Sequence, residues 1–169
     1  MSEAEQALTA AIGFDPAHEA ARQTLVSVYL EERRIPEASR LLQEGLTLNP
    51  RQVRFATVLA RVHVERGDYA GALEVLDRVR TAAGPDPEFN ALLGGVLQRL
   101  SRHAEAADAY RAAISAGPQN GVSWVGLGIS LEALQRRSEA ADAFRRAVAT
   151  GTLTAEVKNY AEQRARALR

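Results

Sequence analysis

The stretch Trp124 to Val148, WVGLGISLEALQRRSEAADAFRRAV, gathers the residues of this chain that most readily suggest chemistry. A GxG such as Gly126 and Gly128 cradles phosphate when it ends a strand and opens a helix, because bare backbone can then approach the anion. Here it lies inside a run with helical spacing and no third glycine follows in frame, so no nucleotide site is expected. His18, His63 and His103 are potential metal ligands, but they fall in separate parts of the chain with no ligand spacing. Glu31 with Glu32, or Glu139 with Asp142, would act as an acid/base couple only in a dry cleft that shifts their pKa values. Both pairs stand at polar turns or helix faces, where solvation is expected. Ser27, Ser115 and Ser130 have no histidine partner at a recognisable motif. The expectation is no catalytic residue, no metal ligand, no cofactor and no enzyme activity.

The composition narrows the partner. The chain has 169 residues, 46% hydrophobic and 25% charged, which is the balance of a folded globular protein. Basic and acidic residues cancel at 21 each, so no long-range field recruits a polyanion. The arginine pairs Arg33–Arg34, Arg136–Arg137 and Arg145–Arg146 are interleaved with acids and lack stacking aromatics, which argues against nucleic acid. There is no cysteine, no apolar run long enough to span a bilayer, and no signal-peptide pattern at the start. No direct membrane contact is expected of this segment. Lys158 is the only lysine, and the arginine bias points to a GC-rich, bacterial source.

One stride organises the whole sequence. Ala140 and Phe144 fall 34 residues after Ala106 and Tyr110, and further steps back reach Ala72 and Leu76, Ala38 and Leu42, then Ala4 and Leu8. Pro16, Pro50 and Pro118 keep the same step, with Gly84 beside Pro85 on the missing rung. Within each unit the apolar residues recur at three and four, the mark of two amphipathic helices, and a short polar segment such as ERGD (65–68) separates them. In the second helix small and large residues share one face, so backbones approach while Leu42, Leu76, Tyr110 and Phe144 fill the space between neighbours.

On these residues the chain resembles the tetratricopeptide repeat (TPR) family. Trp124, Leu127, Gly128, Leu131, Ala140, Phe144 and Ala147 stand at the family's places in order, and Leu93, Gly94, Leu97, Ala106, Tyr110, Ala113 and Pro118 do so one unit earlier. Val26 and Ala60 replace the usual glycine, His63 the aromatic and Gly45 an alanine, departures that predict weaker packing in the first two repeats. The resemblance implies an all-α superhelical TPR solenoid in a single domain, residues 1–169. Residues 1–18 form the second helix of a partial repeat, 19–52, 53–86, 87–120 and 121–154 are full repeats, and 155–169 is a capping helix. Ser2 with Glu5 reads as a capping box. The apolar stripe of Ala4, Leu8 and Ala11 suggests preceding sequence, hence a piece of a longer protein.

The resemblance also implies a non-catalytic scaffold that holds a protein or peptide against the wall formed by its first helices. The places that face that wall give Arg54 and Arg61 in the second full repeat and Ala91, Leu92, Gly95, Gln98 and Arg99 in the third. The fourth supplies Val122, Val125 and Ile129, an apolar contribution suited to the nonpolar side of a partner helix. The lysine, asparagine and arginine set that clamps a terminal carboxylate in some members is missing, which disfavours chaperone tails. The competing expectation is that the last helix, around Val157 and Tyr160, covers this patch. Residues 126–134 and 143–168 resemble the end of the TPR region in pilus-biogenesis proteins of the mannose-sensitive haemagglutinin type. That resemblance implies an upstream membrane anchor and a periplasmic setting; without it a cytoplasmic one is expected. The alternative is a structural spacer forming a homodimer through its terminal helices.

Overall fold

The computed structural model describes residues 2–168, and among them ten helices and no strand. These are α1 (Glu3–Phe14), α2 (Glu19–Glu31), α3 (Ile35–Leu48), α4 (Val53–Glu65) and α5 (Tyr69–Ala83), followed by α6 (Pro87–Arg99), α7 (His103–Ala116), α8 (Gly121–Ala133), α9 (Arg137–Ala149) and α10 (Ala155–Ala167). The fold class is the TPR α-solenoid, a succession of helix hairpins. The helices fall into two compact units, a first ending at Ala83 and a second beginning at Gly84.

The stride of the sequence is a stride of helix ends. His18, Gln52, Asp86, Asn120 and Thr154, each 34 residues from the next, are the N-caps of α2, α4, α6, α8 and α10, and each side chain accepts a backbone N–H of the first turn. Such caps satisfy donors that the helix itself leaves unpaired. The turn from first to second helix is equally regular: Arg33, Gly67, Ser101 and Gln135 all take φ between 59° and 75°. Only one of them is glycine, so three hairpins hold an L-residue in the left-handed region at roughly 1–2 kcal/mol each. The next residue then anchors the second helix. Arg34, Arg102 and Arg136 each donate from Nε to a carboxylate three residues on, Glu37, Glu105 and Glu139, at 3.0, 2.7 and 2.7 Å. Asp68 takes that place in the second full repeat and accepts the Gly71 N–H at 2.9 Å.

In the first unit α2 packs on α3 and α4 on α5, and α1 and α3 each pack on the helix that follows. Leu25, Val26, Tyr29, Leu42, Phe55 and Leu59 form its core, with Leu8 and Ile12 of α1 resting against it. Two ionised side chains share this interior. Arg22 is buried and donates to the carbonyls of Leu41 and Pro16, at 3.3 and 2.9 Å, and to the Glu44 carboxylate at 3.1 Å. Glu5, 2% exposed, lies 3.0 Å from Arg34, whose guanidinium also stacks on the Tyr29 ring. Ser2 accepts the Glu5 N–H, so half of the anticipated capping box is present; the Glu5 carboxylate instead turns to Arg34. An ion pair in a poorly hydrated site outweighs a bond to an exposed helix-terminal N–H.

The second unit is sealed by aromatic rings on glycine. A Cβ at Gly94 would stand 3.0 Å from the Tyr110 ring, and one at Gly128 2.8 Å from Phe144. The departures of the first unit obey the same volume rule and do not loosen it. Where the second helix carries Leu42 or Leu76 instead of an aromatic, the first carries Val26 or Ala60 instead of glycine, and all four are buried. Gly45 replaces alanine because the Phe55 ring and the Arg22 side chain lie against it; a Cβ there would approach them to 2.6 and 2.8 Å. Protein interiors tolerate little overlap or void, so large and small residues must be paired.

Candidate functional site

The first helices place the anticipated wall residues at the surface to very different degrees. In the second unit Val122 is 65% exposed, Ala91, Leu92, Gly95 and Ile129 are half-buried, and Arg99 is exposed. Val125 is only 7% exposed and belongs mainly to the core of α8. Gln98 spans two first helices: its Nε2 donates to the Gly126 carbonyl at 3.1 Å and to Ser130 Oγ at 2.9 Å. Its Oε1 lies 3.5 Å from the Tyr110 hydroxyl, whose pKa burial pushes up to about 12. Gln98 therefore braces α6 against α8, and its amide is largely committed to that work. Arg54 and Arg61 are exposed on α4 in the first unit.

The last helix bears on this wall at one edge. Tyr160 of α10 meets Phe144 of α9 edge-on with ring centroids 5.9 Å apart. Arg164 of α10 forms a two-pronged pair with Glu132 of α8, its Nε at 3.1 Å from Oε2. Ile129, Glu132, Ala133, Tyr160 and Arg164 line a shallow, open depression of about 470 Å³. Of these, Glu132 reads from the sequence as a wall-facing residue and Tyr160 as part of the covering helix, while Arg164 is not singled out. Its signal was there, since Glu132 and Arg164 lie on equivalent helices of successive units with opposite charge.

Several of the residues that suggested chemistry have packing or surface ion-pair roles. Trp124 Nε1 donates to the Pro118 carbonyl at 2.9 Å, and Arg146 lies 5.2 Å above its ring. Gly126 gives way to the Tyr110 ring as Gly128 does to Phe144. Glu139 pairs with Arg136, and Asp142 with Arg145. Among the described residues no three His, Cys, Asp or Glu side chains are grouped to hold a metal ion, and no helix is long and apolar enough to cross a membrane.

One feature of the first unit was invisible in the sequence. A cleft of about 480 Å³ opens between α3 and α5 over α4, with Leu46, Leu59, Val75 and Val79 among its lining. His63 reaches it with Nδ1 2.7 Å from the Asp68 carboxylate. The Gly71 N–H above all, and then His63, hold the Asp68 carboxyl below its ordinary range. A Cβ at Gly71 would stand 2.3 Å from Asp68 Oδ2 and 2.8 Å from His63 Nδ1, so the bare glycine leaves room for both side chains as they are placed. The histidine in place of an aromatic is thus part of a helix-capping cluster that includes the glycine three residues past Asp68.

A family model for the tetratricopeptide repeat matches residues 24–87, 81–121 and 92–155. Over 77 residues, 46% of this chain, the sequence is 31% identical to the TPR repeat-containing protein YpiA of Bacillus subtilis (strain 168). The match spans only 18% of that relative's length. Among solved structures, MamA superposes with a TM-score of 0.77 at 20% identity over 87% of this chain and 86% of the other, and a MamA RS-1 double mutant with 0.78 at 19% over 88% and 84%. These two share the fold. A MamA AMB-1 structure is 28% identical, covers 75% of each chain and gives a TM-score of 0.67.

Proposed function

The chain belongs to the tetratricopeptide repeat family, and we propose that it is a non-catalytic scaffold that holds a segment of another protein on the first-helix face of its second unit. The observation that carries this reading is the placement of Val122, Leu92 and Ile129. They are apolar side chains still in contact with solvent, whereas Val125 of the same face is in the core. Each 100 Å² of apolar surface buried there by a partner contributes about 2.5 kcal/mol before the cost of association. Arg99 and the Glu132–Arg164 pair supply the polar border, so the surface suits the nonpolar side of an amphipathic helix or an extended apolar segment. Arg54 and Arg61 on α4 are a separate, basic contribution from the first unit.

The test is capture of a partner from the source organism, with the same bait carrying Val122→Glu and Ile129→Glu. Val122 is exposed and Ile129 half-buried, so both changes leave the core in place, whereas glutamate at Val125 would disrupt it. Loss of capture with unchanged helicity is the expected result; full capture by the double variant rejects the surface. A role in pilus assembly rests on the local resemblance of residues 126–134 and 143–168. Within those segments Gly126, Gly128 and Phe144 already have packing roles, so the resemblance adds no partner contact of its own.

A further inference from the structure

Three of the four full repeats share a contact that the second lacks. In each of the three, one side chain in the first turn of the first helix donates to a carbonyl in the loop just before it. Arg22 Nη2 donates to Pro16 at 2.9 Å, Asn90 Nδ2 to Gly84 at 3.0 Å and Trp124 Nε1 to Pro118 at 2.9 Å. At the same place of the stride the second full repeat has Ala56, which has nothing to donate. Among the described residues no side chain donates to the Pro50 carbonyl, the equivalent acceptor.

A residue of the second helix answers each donor. Glu44, Ala112 and Arg146 hold equivalent places, and their chemistry follows that of the side chain opposite. The Glu44 carboxylate accepts from Arg22 at 3.1 Å, small Ala112 goes with Asn90, and the Arg146 guanidinium lies 5.2 Å from the centre of the Trp124 ring. Arg78 repeats Arg146 in the second repeat, but its counterpart Ala56 offers no ring to cover. Its guanidinium turns to Glu74 one turn back, a pair exposed enough to hold it only weakly.

Pro50 and Arg78 both line the cleft of about 480 Å³ between α3 and α5. Ala56 is fully buried, so the open space lies beside it, along Leu59 and His63 of the same helix. Leu46, Leu59, Val75 and Val79 make the lining largely apolar, and the volume is that of a small-molecule site. The second repeat thus keeps the acceptor and the cation that the fourth sets around an indole, with an apolar cavity next to them.

We propose that this cleft binds a small molecule bearing an indole ring. The ring N–H donates to the Pro50 carbonyl, one face lies under the Arg78 guanidinium, and the hydrocarbon edge is buried against Leu59, Val75 and Val79. An amide or a guanidinium would satisfy the carbonyl, as Asn90 and Arg22 do, but neither gains from burial in an apolar cavity, and a guanidinium would meet Arg78 with like charge. The site belongs to the first unit, and it stands or falls separately from the partner surface of the second.

The test is a titration of the full chain with indole, followed by the methyl resonances of Leu46, Leu59, Val75 and Val79. Saturable shifts of these methyls with a midpoint below about 1 mM are the expected result. 1-Methylindole keeps the ring and loses the N–H donor, so it should bind about fivefold more weakly. Arg78→Ala should weaken indole about threefold while leaving helicity unchanged, since Arg78 is exposed. The proposal is overturned if the cleft methyls do not move up to about 1 mM, if 1-methylindole binds as well as indole, or if Arg78→Ala binds as the parent does. It is overturned equally if a capped pentapeptide with a central tryptophan binds more tightly than indole, because the cleft would then hold a protein side chain.

Discussion

The two units bury polar groups in different ways. The first holds ions in its interior: Arg22 is wrapped by two carbonyls and Glu44, and Glu5 by Arg34 and Tyr29. Among its described residues the second buries only neutral polar groups, Asn90, Ser123 and Ser130, and it closes its hairpins with Tyr110 on Gly94 and Phe144 on Gly128. The stride is common to both, yet the interactions that fill it are not. A repeat fixes where a side chain points and how much room it has, and several chemistries satisfy the same volume. The consequence is a difference in what should damage each unit: shape in the second, charge in the first.

The largest effect is expected at Phe144. Phe144→Ala removes a ring that is fully buried between α8, α9 and α10 and should cost about 3–5 kcal/mol. Chemical denaturation followed by Trp124, the single tryptophan, reads the second unit directly. Next comes Gly128→Ala, whose Cβ would press on that ring and should cost about 1–3 kcal/mol. The equivalent Ala60→Gly in the first unit should cost about 0.5–1 kcal/mol, through backbone entropy. Equal losses at these two places would break the contrast between ring-on-glycine and leucine-on-alanine.

Charge should dominate the first unit. Arg22→Ala leaves the Leu41 carbonyl without its side-chain donor and opens space beside Phe55 and Gly45, a loss of about 1–3 kcal/mol. Glu5 sharpens the comparison through pH. Burial is the largest single influence on its carboxyl and raises the pKa, but hydrogen bonds from Arg34 and Tyr29, with the Arg34 charge, hold it below the usual carboxylate range. A depressed folded pKa means the stabilisation is fully present above the unfolded value, near pH 4.3, and fades as pH falls through the folded pKa. Docking of α1, followed by the Tyr29 ring resonances, should thus loosen in acid and only there, and Glu5→Gln should abolish that dependence. The smallest effect is expected from Arg136→Ala, which removes an exposed pair with Glu139 and should leave the denaturation midpoint unmoved within error.

Much of this was legible in the chain because a 34-residue stride survives translation into structure. The N-caps at His18, Gln52, Asp86, Asn120 and Thr154 and the left-handed turns at Arg33, Gly67, Ser101 and Gln135 follow that stride, although only Gly67 among the turns is a residue that local backbone chemistry favours there. The identity of fillers was harder. Val26, Ala60 and Gly45 look like faults when each helix is compared with a family pattern, and become matches only beside Leu42, Leu76 and Phe55. The wall residues divide similarly. Helical spacing puts Val122 and Val125 near one another, but the rotation of α8 on its neighbours leaves one in solvent and the other in the core.

By itself, then, the sequence determined the hairpin repeat and its all-α class, since these follow from the periodicity of apolar residues and the short polar segments between them. Only the tertiary structure decided that Glu5 finds Arg34, that Arg164 reaches Glu132 and that His63 joins Asp68 beside an apolar cleft. Those partners lie on separate helices or across a turn. Their meeting depends on how far each helix is rotated and how closely it packs, quantities set by the summed volumes of side chains that no local pattern records.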